Sequence, residues 1–313
     1  MILKYVVDEE TGGKTIKYIL KNKLELSERL VKKLKYGNKV LCNSLPVHIN
    51  APVEAGDIIE AVMDLPEDPG EIIPEKIEID ILYEDDCIIA LNKQPHRVVH
   101  PTSGHPSGTI ANAVMYYLFC KDEPKKIRPV NRLDRDTSGV IIFAKNQYVQ
   151  EALIKQMQDH TFKKEYLGIV CGLVENRRGT INLPITRKPG SIMLRHVSPD
   201  GSPAVTHYEV LEYLENASLL KFRLETGRTH QIRVHCQALG HPILGDTLYP
   251  FHENEGCPSV SGQAGSGNIM QFIDRQALHS HKTSLIHPIT KKSLEIEAPI
   301  PEDMKQVLEI LRK

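Results

Sequence analysis

The chain lacks the sequence features of several large classes of protein. No apolar run reaches the roughly 18 residues that a membrane-spanning helix needs. The first residues do not show the basic-then-apolar pattern of a signal peptide. The six cysteines are scattered and form no Cys-x-x-Cys pair, which argues against a zinc site and against a disulfide framework. We therefore expect a cytoplasmic protein with no membrane segment, no structural metal and reduced cysteines.

Net charge is also small, at −1, but charge is unevenly distributed along the chain. Residues 14–39 carry nine Lys or Arg against two Glu, whereas residues 54–86 carry thirteen acids and one Lys. The remainder from residue 87 onward is net positive. Contact with a polyanion depends on where positive charge lies rather than on its total. The small net charge therefore does not exclude a nucleic-acid partner.

Length and composition favour two domains joined by a linker. A chain of 313 residues is long for one ordinary domain, and its 41% hydrophobic and 25% charged residues are typical of globular proteins. Residues 65–80 are rich in proline and acids, as linkers are. We predict an N-terminal module at 1–64, an acidic linker at 65–80 and a larger domain at 81–313.

The N-terminal module contains an amphipathic segment with a basic face. Apolar spacing between residues 14 and 34 predicts two short helices with a break near 22–26, and Ser27 is a suitable N-cap for the second helix. The polar face of that second helix carries four cations, which are Arg29, Lys32, Lys33 and Lys35. Short strands follow, with a turn at Gly56-Asp57. Taken alone, the four cations form an ordinary solvated face.

The most unusual stretch is a loop at residues 128–139, which precedes a short β-branched run at 140–144. The run predicts a buried strand, and Gly139 marks the turn into it. Two carboxylates, Asp134 and Asp136, lie in the loop together with three arginines. A solvated turn with local ion pairs is the ordinary interpretation of such a mixture, since exposed pairs are common and contribute little stability.

Residues 132–139, Arg-Leu-Asp-Arg-Asp-Thr-Ser-Gly, closely resemble the catalytic motif of the RluA-type pseudouridine synthases, His-Arg-Leu-Asp-x-Asp-Thr-Ser-Gly. The departure is Asn131, where the family most often has His. Residues 226–235, Thr-Gly-Arg-Thr-His-Gln-Ile-Arg-Val-His, resemble a second family segment without a mismatch, and Tyr166 lies in a strand that resembles the family's Lys-x-Tyr motif. The resemblance covers about residues 81–313.

The N-terminal module is similar to a small RNA-binding module first described in a ribosomal small-subunit protein, which often precedes such catalytic domains. The usual Asn-Gly turn of that module is Asn43-Ser44 here. In this setting, the four cations of the second helix become candidates for salt-sensitive phosphate contacts.

This resemblance implies an α+β fold. The catalytic domain should have a central mixed, mainly antiparallel β-sheet flanked by helices and loops, beside a small N-terminal α/β RNA-binding module. Within the second family segment, Thr229 can cap a helix that ends at Gly240. His230 and Arg233 are one turn apart and should share a face of that helix. Residues 252–270 lack periodicity and predict a long loop.

The family reaction converts uridine to pseudouridine: the N1–C1′ bond breaks, the uracil turns, and C5 joins C1′. Nothing is oxidised and no group is carried, so no cofactor is expected. By resemblance Asp134 is the essential carboxylate, and it could attack C1′ or C6 or remove the C2′ proton. Arg233 should favour the ionised carboxylate and orient it. Tyr166 should stack on the uracil, and its phenol could relay the C5 proton.

The remaining motif residues receive supporting roles from the same resemblance. The loop itself is held by Asp136, Thr137 and Ser138. Arg132 resembles the residue that takes the place of the flipped nucleotide, since C1′ and C5 are not accessible inside stacked RNA. Arg228, at the start of the second-segment helix, is a further candidate for RNA binding.

Several alternatives stay open at this stage. One is an RNA-binding module without catalysis; another is a nucleoside or glycoside hydrolase, which would need a second acid roughly 5–10 Å from the first. Among RNA substrates, the paired architecture favours ribosomal RNA, with transfer RNA as the alternative. His100 and His105 do not predict a metal site, since no third ligand follows at metal spacing. We expect a monomer that acts on RNA without a metal or cofactor.

Overall fold

The computed structural model describes residues 1–63, 65, 70, 72–123, 125–250 and 273–312. The predicted loop at 252–270 and part of the predicted linker lie outside the described residues. No helix in this part of the chain is long and apolar enough to cross a bilayer.

The N-terminal module folds as a four-stranded antiparallel sheet with two helices. Its elements are β1 (Ile2–Val6), α1 (Ile16–Asn22), α2 (Glu28–Tyr36), β2 (Val40–Cys42), β3 (Leu45–Pro46) and β4 (Ile58–Val62). The strand order is β1-β4-β2-β3. Ser27 accepts a hydrogen bond from the backbone N–H of Leu30, so the predicted N-cap of α2 is confirmed. Sequence periodicity did not indicate β1, which is secured by its pairing with β4.

The turn between β2 and β3 has a backbone conformation that glycine adopts more easily than other residues. Asn43 and Ser44 have φ values of 51° and 67°, which suits a two-residue hairpin turn. Asn43 is held by its side chain, because its Oδ1 accepts from Ile58 N–H at 2.9 Å and its Nδ2 donates to Asp57 Oδ1 at 2.8 Å. Ser44 carries the conformational cost of the turn.

Ser44→Gly is expected to stabilise the protein by about 1 kcal/mol. A side chain in the left-handed region costs roughly 1–2 kcal/mol, and the greater freedom of glycine in the unfolded chain offsets part of the gain. Urea unfolding measures the difference. Ser44→Ala is the matched control, because it keeps the Cβ and should leave stability nearly unchanged. A glycine variant no more stable than the alanine variant contradicts this account.

The larger domain is built on a nine-stranded sheet. The strands of this domain are β5 (Ile81–Glu84), β6 (Ile88–Lys93), β7 (Ser138–Ala144), β8 (Lys163–Cys171), β9 (Arg178–Asn182), β10 (Ile185–Arg187), β11 (Arg195–Val197), β12 (Val205–Leu214), β13 (Ala217–Leu224), β14 (Leu278–Ile286) and β15 (Ser293–Glu297). The sheet order is β5-β6-β7-β14-β8-β13-β12-β9, with β15 paired to β14, while β10 and β11 form a separate hairpin. Among the described strands of the sheet, β7 and β14 run parallel and the other neighbours are antiparallel. The predicted α+β fold with a mixed, mainly antiparallel sheet is confirmed.

In the described part of the larger domain, four helices flank this sheet. They are α3 (Ile110–Cys120), α4 (Gln147–Gln158), α5 (Gln231–Ala238) and α6 (Glu302–Leu311). Thr109 and Asn146 cap α3 and α4 by accepting backbone N–H groups of the first turn. Gly240 has a φ of 83° just beyond the end of α5, as the sequence predicted for a C-terminal glycine.

One hydrophobic cluster runs from the N-terminal module into the larger domain. It contains Leu34 of α2 together with Val140 of β7, and both side chains are fully buried. A polar contact joins the same two parts, since Lys33 Nζ donates to Gln147 Oε1 on α4 at 2.8 Å. Packing therefore fixes the position of α2 on the larger domain.

Gly139 is required where β7 meets β14. Its φ is 108°, and a Cβ at this position would lie 2.2 Å from the carbonyl oxygen of Ser280. Gly139 and Ser280 are partners in the parallel strand pair. Glycine thus allows the two strands to approach each other directly after the loop at 128–139, and this fixes the end of that loop.

Candidate active site

The beginning of the 128–139 loop is held against β7. Val130 N–H donates to the carbonyl oxygen of Ile142 at 2.7 Å. Asn131 is buried, and its Oδ1 accepts from Ile142 N–H at 2.9 Å while its Nδ2 donates to Val140 O at 3.3 Å. Asn131, the residue that departs from the family motif, therefore braces the loop through both the oxygen and the nitrogen of its side-chain amide.

Arg233 of α5 joins two carboxylates that are far apart in the sequence. Its Nη1 lies 3.2 Å from Asp134 Oδ2, while its Nε and Nη2 donate to the two oxygens of Asp246 at 2.6 and 2.8 Å. Burial lowers the pKa of Arg233, but Asp246 and Asp134 more than offset this, so its pKa is raised above the ordinary value. The guanidinium is a permanent cation that is clamped by one carboxylate and presented to the other.

Tyr166 lies on β8, opposite Ser280 of β14, and is almost fully buried. Burial strongly raises the pKa of its phenol; a hydrogen bond with Ser280 opposes this rise, and the charge of Asp134 adds to it. The phenol is therefore protonated near neutral pH. A buried neutral ring beside a carboxylate suits stacking on an uncharged base.

A cavity of about 920 Å³ brings the predicted catalytic residues together. Its lining includes Asp134, Tyr166 and Arg233, which the sequence assigned to catalysis, and Arg132 and Arg228, which it assigned to RNA binding. Small-molecule sites commonly have volumes of roughly 300–1,000 Å³. The cavity is large enough for one nucleotide, and it is partly open to solvent.

Thr137 and Ser138 attach the end of the loop to the segment that leads into β14. Thr137 Oγ1 accepts from Gln276 Nε2 at 3.2 Å, and Ser138 Oγ lies 2.9 Å from His279 Nδ1. All four residues are buried. These contacts agree with a supporting role for Thr137 and Ser138.

Asp136 has different partners from Asp134. Its carboxylate pairs with Arg135 at 2.9 Å and with His96 at 3.2 Å. Burial raises the pKa of Asp136, but the opposing effect of Arg135 and His96 is larger, so the pKa lies below its ordinary value. The structure therefore places Asp136 in an ion-pair cluster on the loop.

Lys93 is a support of the loop that the sequence did not reveal. It is almost completely buried, and its Nζ donates to the carbonyl oxygens of Arg135 at 2.7 Å and Gln94 at 2.9 Å. Burial lowers the pKa of Lys93 to about 7, although Asp136 opposes this. His96, one of the partners of Asp136, has a φ of 62°, a conformation that glycine adopts readily.

The cations of α2 differ in exposure. Those exposed to solvent are Arg29, Lys32 and Lys35, whereas Lys33 is half-buried and bonded to Gln147. None of the four lines the cavity. They form a separate basic surface whose position relative to the cavity is set by the packing of α2.

The predicted N-cap of α5 is wrong. The cap is His230 rather than Thr229, and no side-chain hydrogen bond caps the helix. His230 has a φ of 57° and a ψ of 21°, so the chain turns through a left-handed residue before the helix begins. The Gln231 side chain instead accepts the backbone N–H of Arg228 at 2.9 Å. His230 does share the face of Arg233, since both side chains approach Asp134.

Among the residues that the structure describes, one group of side chains has the residue types of a metal site. The side chains of Asp85, Cys87 and His287 lie with their ligand atoms within 4.8 Å of one another. His287 Nδ1 accepts backbone N–H groups, including that of Thr290 at 3.0 Å, so its Nε2 carries the proton and donates to Asp85 Oδ2 at 2.9 Å. Hydrogen bonding within the chain therefore accounts for this group.

Asp246, His230 and Tyr249 belong to the site although the sequence did not assign them a role. Asp246 follows Gly245 and lies 13 residues after Arg233, and a carboxylate this close in the sequence to Arg233 was the available signal. Tyr249 lies against Arg233, with the guanidinium carbon 5.1 Å from the ring centroid. Neither pairing is visible from spacing, because the chain must turn back after α5 to form them.

The fold and the site together fit an enzyme that acts on a nucleotide, because a carboxylate and a guanidinium meet in a nucleotide-sized cavity. Residues 87–238 match the RNA pseudouridylate synthase family. Residues 3–59 match the RluD ribosomal pseudouridine synthase N-terminal domain. The chain belongs to the RNA pseudouridine synthase family, whose members are isomerases that act on RNA.

Individual relatives agree with this assignment over nearly the whole chain. The uncharacterized RNA pseudouridine synthase YhcT of Bacillus subtilis is 37% identical over 308 residues, covering 97% of this chain and 96% of the relative. The ribosomal large subunit pseudouridine synthase D of Pasteurella multocida is 39% identical over 277 residues, covering 85% of this chain and 83% of the relative. The solved structure of human RNA Pseudouridylate Synthase Domain Containing 4 shares the fold, with a TM-score of 0.58, 22% identity, and coverage of 74% of this chain and 93% of that chain.

Proposed function

We propose that this chain converts uridines of large-subunit ribosomal RNA to pseudouridine, with Asp134 as the essential carboxylate. The observation that carries the proposal is the 3.2 Å contact between Asp134 Oδ2 and Arg233 Nη1 in a nucleotide-sized cavity. The guanidinium favours the ionised carboxylate, which is the form that can attack C1′ or C6 or remove the C2′ proton. All three routes remain compatible with this geometry.

RNA is bound by two basic regions in this proposal. Arg132 and Arg228 line the cavity and would contact the nucleotide that enters it, with Arg132 taking the place of the flipped base. The exposed cations of α2 would contact phosphates at a distance from the cavity, which gives salt-sensitive binding with little sequence preference. Asp136, Thr137 and Ser138 would hold the loop in place. We retain the expectation of a monomer that acts in the cytoplasm.

Tyr166→Phe is expected to lower kcat by about 100-fold with little change in KM. The detached uracil must lose its C5 proton, and loss of a positioned proton-transfer group costs roughly 10²–10⁴-fold. The ring remains, so stacking and binding should persist. Release of tritium from RNA labelled at uridine C5 measures turnover. Tyr166→Ala is the comparison, since it should also raise KM. Near-normal turnover of the phenylalanine variant leaves Tyr166 with stacking alone.

The target RNA is tested by mapping pseudouridines in cells with and without the gene. The proposal predicts that the deletion removes pseudouridine at defined positions of large-subunit ribosomal RNA and that the wild-type gene restores it. A deletion complemented with Asp134→Asn should remain deficient. Loss of pseudouridine from transfer RNA, with ribosomal RNA unchanged, contradicts the proposed target while leaving the reaction in place.

A further inference from the structure

His230 occupies a strained position between the catalytic loop and α5. It is the N-cap residue of α5 with a left-handed backbone, which is uncommon for a residue with a side chain. Its imidazole is largely buried and lines the cavity, and its Nε2 lies 4.0 Å from Asp134 Oδ2. A strained backbone conformation persists where surrounding contacts require it, and such residues often lie at functional sites.

A chain of hydrogen bonds determines which nitrogen of His230 carries the proton. Tyr249 Oη accepts the backbone N–H of Arg195, on β11, at 2.9 Å and lies 2.8 Å from His230 Nδ1. A phenol has one hydrogen to donate. Among the described residues, His230 Nδ1 is the acceptor available to that hydrogen, and Tyr249 is buried. If Nδ1 were protonated, the Tyr249 hydroxyl hydrogen would be left without a partner, which is costly for a buried group.

The other end of the imidazole leads to the same tautomer. Nε2 faces Asp134 Oδ2, and a bare nitrogen lone pair beside a carboxylate would be repelled by it, whereas an N–H is attracted. The charged groups around the ring are Asp134, Arg233, Asp246 and Arg195. Burial lowers the pKa of His230; the two carboxylates oppose this and the two arginines reinforce it, so the pKa lies below its ordinary value. The ring is therefore neutral near pH 7, with its proton on Nε2.

We propose that His230 is a positioning residue for Asp134, with Tyr249 fixing its Nε2–H tautomer so that this N–H is directed at Oδ2. The proposal rests on the proposed function of Asp134. Arg233 Nη1 already contacts the same oxygen at 3.2 Å. A shortening of the Nε2–Oδ2 distance by about 1 Å brings it into hydrogen-bond range. Two donors then hold Oδ2 and leave Oδ1 for the substrate, because no donor among the described residues contacts Oδ1.

The tautomer can be measured without any assay of activity. Long-range proton–nitrogen spectra of the full-length protein with ¹⁵N-labelled histidine distinguish the two neutral tautomers and the cation. The His230 signals are identified by their loss in His230→Gln. The proposal predicts the Nε2–H tautomer in the wild type and a mixture of tautomers in Tyr249→Phe. An Nδ1–H tautomer or an imidazolium in the wild type at neutral pH overturns it.

Kinetics separate positioning from a purely structural role. His230→Ala should lower kcat roughly tenfold or more, since it removes the N–H that would bond to a charged group in the proposed arrangement, with KM for RNA nearly unchanged. His230→Gln keeps an N–H near the position of Nε2 and should recover a large part of kcat. His241→Gln is the control; its ring contacts the carbonyl oxygen of Cys171 and lies outside the cavity lining. Equal losses of kcat in the alanine and glutamine variants, both folded, overturn the proposal.

The outcomes also separate this proposal from the proposed function. If the wild-type protein forms no pseudouridine, the proposed function is contradicted, and the spectra still determine the tautomer of His230. If the wild type is active but the tautomer is Nδ1–H, only the role of His230 fails. If His230→Ala does not fold, Tyr249→Phe and His230→Gln still test the claim, because both keep most of the side-chain volume.

Discussion

Asp134→Asn is expected to lower pseudouridine formation by about 10⁴-fold or more while RNA remains bound. The amide has nearly the same shape as the carboxylate and can still accept a hydrogen bond from Arg233, so the loop should keep its position. The negative charge and the nucleophilic or basic oxygen are lost, and removal of a residue on which a reaction depends commonly costs several orders of magnitude. Tritium release from C5-labelled uridine RNA measures the loss, and a filter-binding assay checks that RNA is retained.

Asp136→Asn is the matched control for this experiment. Asp136 lies two residues away in the same loop, but its carboxylate pairs with Arg135 and His96 rather than with Arg233. We expect the control to lose less than about tenfold in turnover, because its partners Arg135 and His96 are exposed and ion pairs with exposed partners contribute about 1 kcal/mol or less. Retained turnover in Asp134→Asn, or an equal loss in both variants, contradicts the assignment of Asp134.

Asp246→Asn is expected to reduce both stability and turnover. Asp246 is fully buried and forms a bidentate pair with Arg233. The substitution leaves Asp134 as the remaining carboxylate partner of the buried guanidinium, and removing one partner of a buried pair costs up to about 3–5 kcal/mol. The guanidinium also loses the partner that orients it toward Asp134, so we expect kcat to fall by about 100-fold or more. Urea unfolding and tritium release measure the two effects on the same preparation.

A second variant distinguishes the orienting role of Asp246 from its contribution to stability. Arg233→Met combined with Asp246→Leu replaces the buried pair by apolar groups of similar volume, and such replacements are often neutral or stabilising. The double variant should therefore be more stable than Asp246→Asn and still inactive. A double variant that is stable and active contradicts the role of Arg233, and an Asp246→Asn variant with normal turnover contradicts the role of Asp246.

Local signals in the sequence were sufficient for much of the fold. Ser27 caps α2 as predicted, because a cap depends on residues three positions apart. β1 was missed because its stability comes from pairing with β4, more than 50 residues further along the chain. The Thr229 cap was wrong because the sequence does not indicate that His230 adopts a left-handed conformation. Side-chain type alone does not determine the backbone at that turn.

In the candidate site, too, local motifs were visible in the sequence, whereas contacts between distant parts of the chain were not. The motifs identified Asp134, Tyr166 and Arg233, and the structure brings all three to one cavity. The sequence did not reveal what holds them, since the support of Arg233 by Asp246 depends on a turn of the chain after α5. Asn131 could not be explained from its sequence position either. Its hydrogen bonds to both neighbours on β7 account for it once the loop is seen to run along that strand.

Analysis of the product of the purified protein is the most direct test of this account. The wild-type protein is incubated with uridine-containing large-subunit ribosomal RNA. The RNA is then digested to nucleosides, which are separated by chromatography, and their masses are measured by mass spectrometry. The account predicts a nucleoside with the mass of uridine but the chromatographic position of pseudouridine, with no free uracil. Release of free uracil would indicate a hydrolase. RNA that is bound but unchanged would indicate a binding protein, and either result contradicts the account.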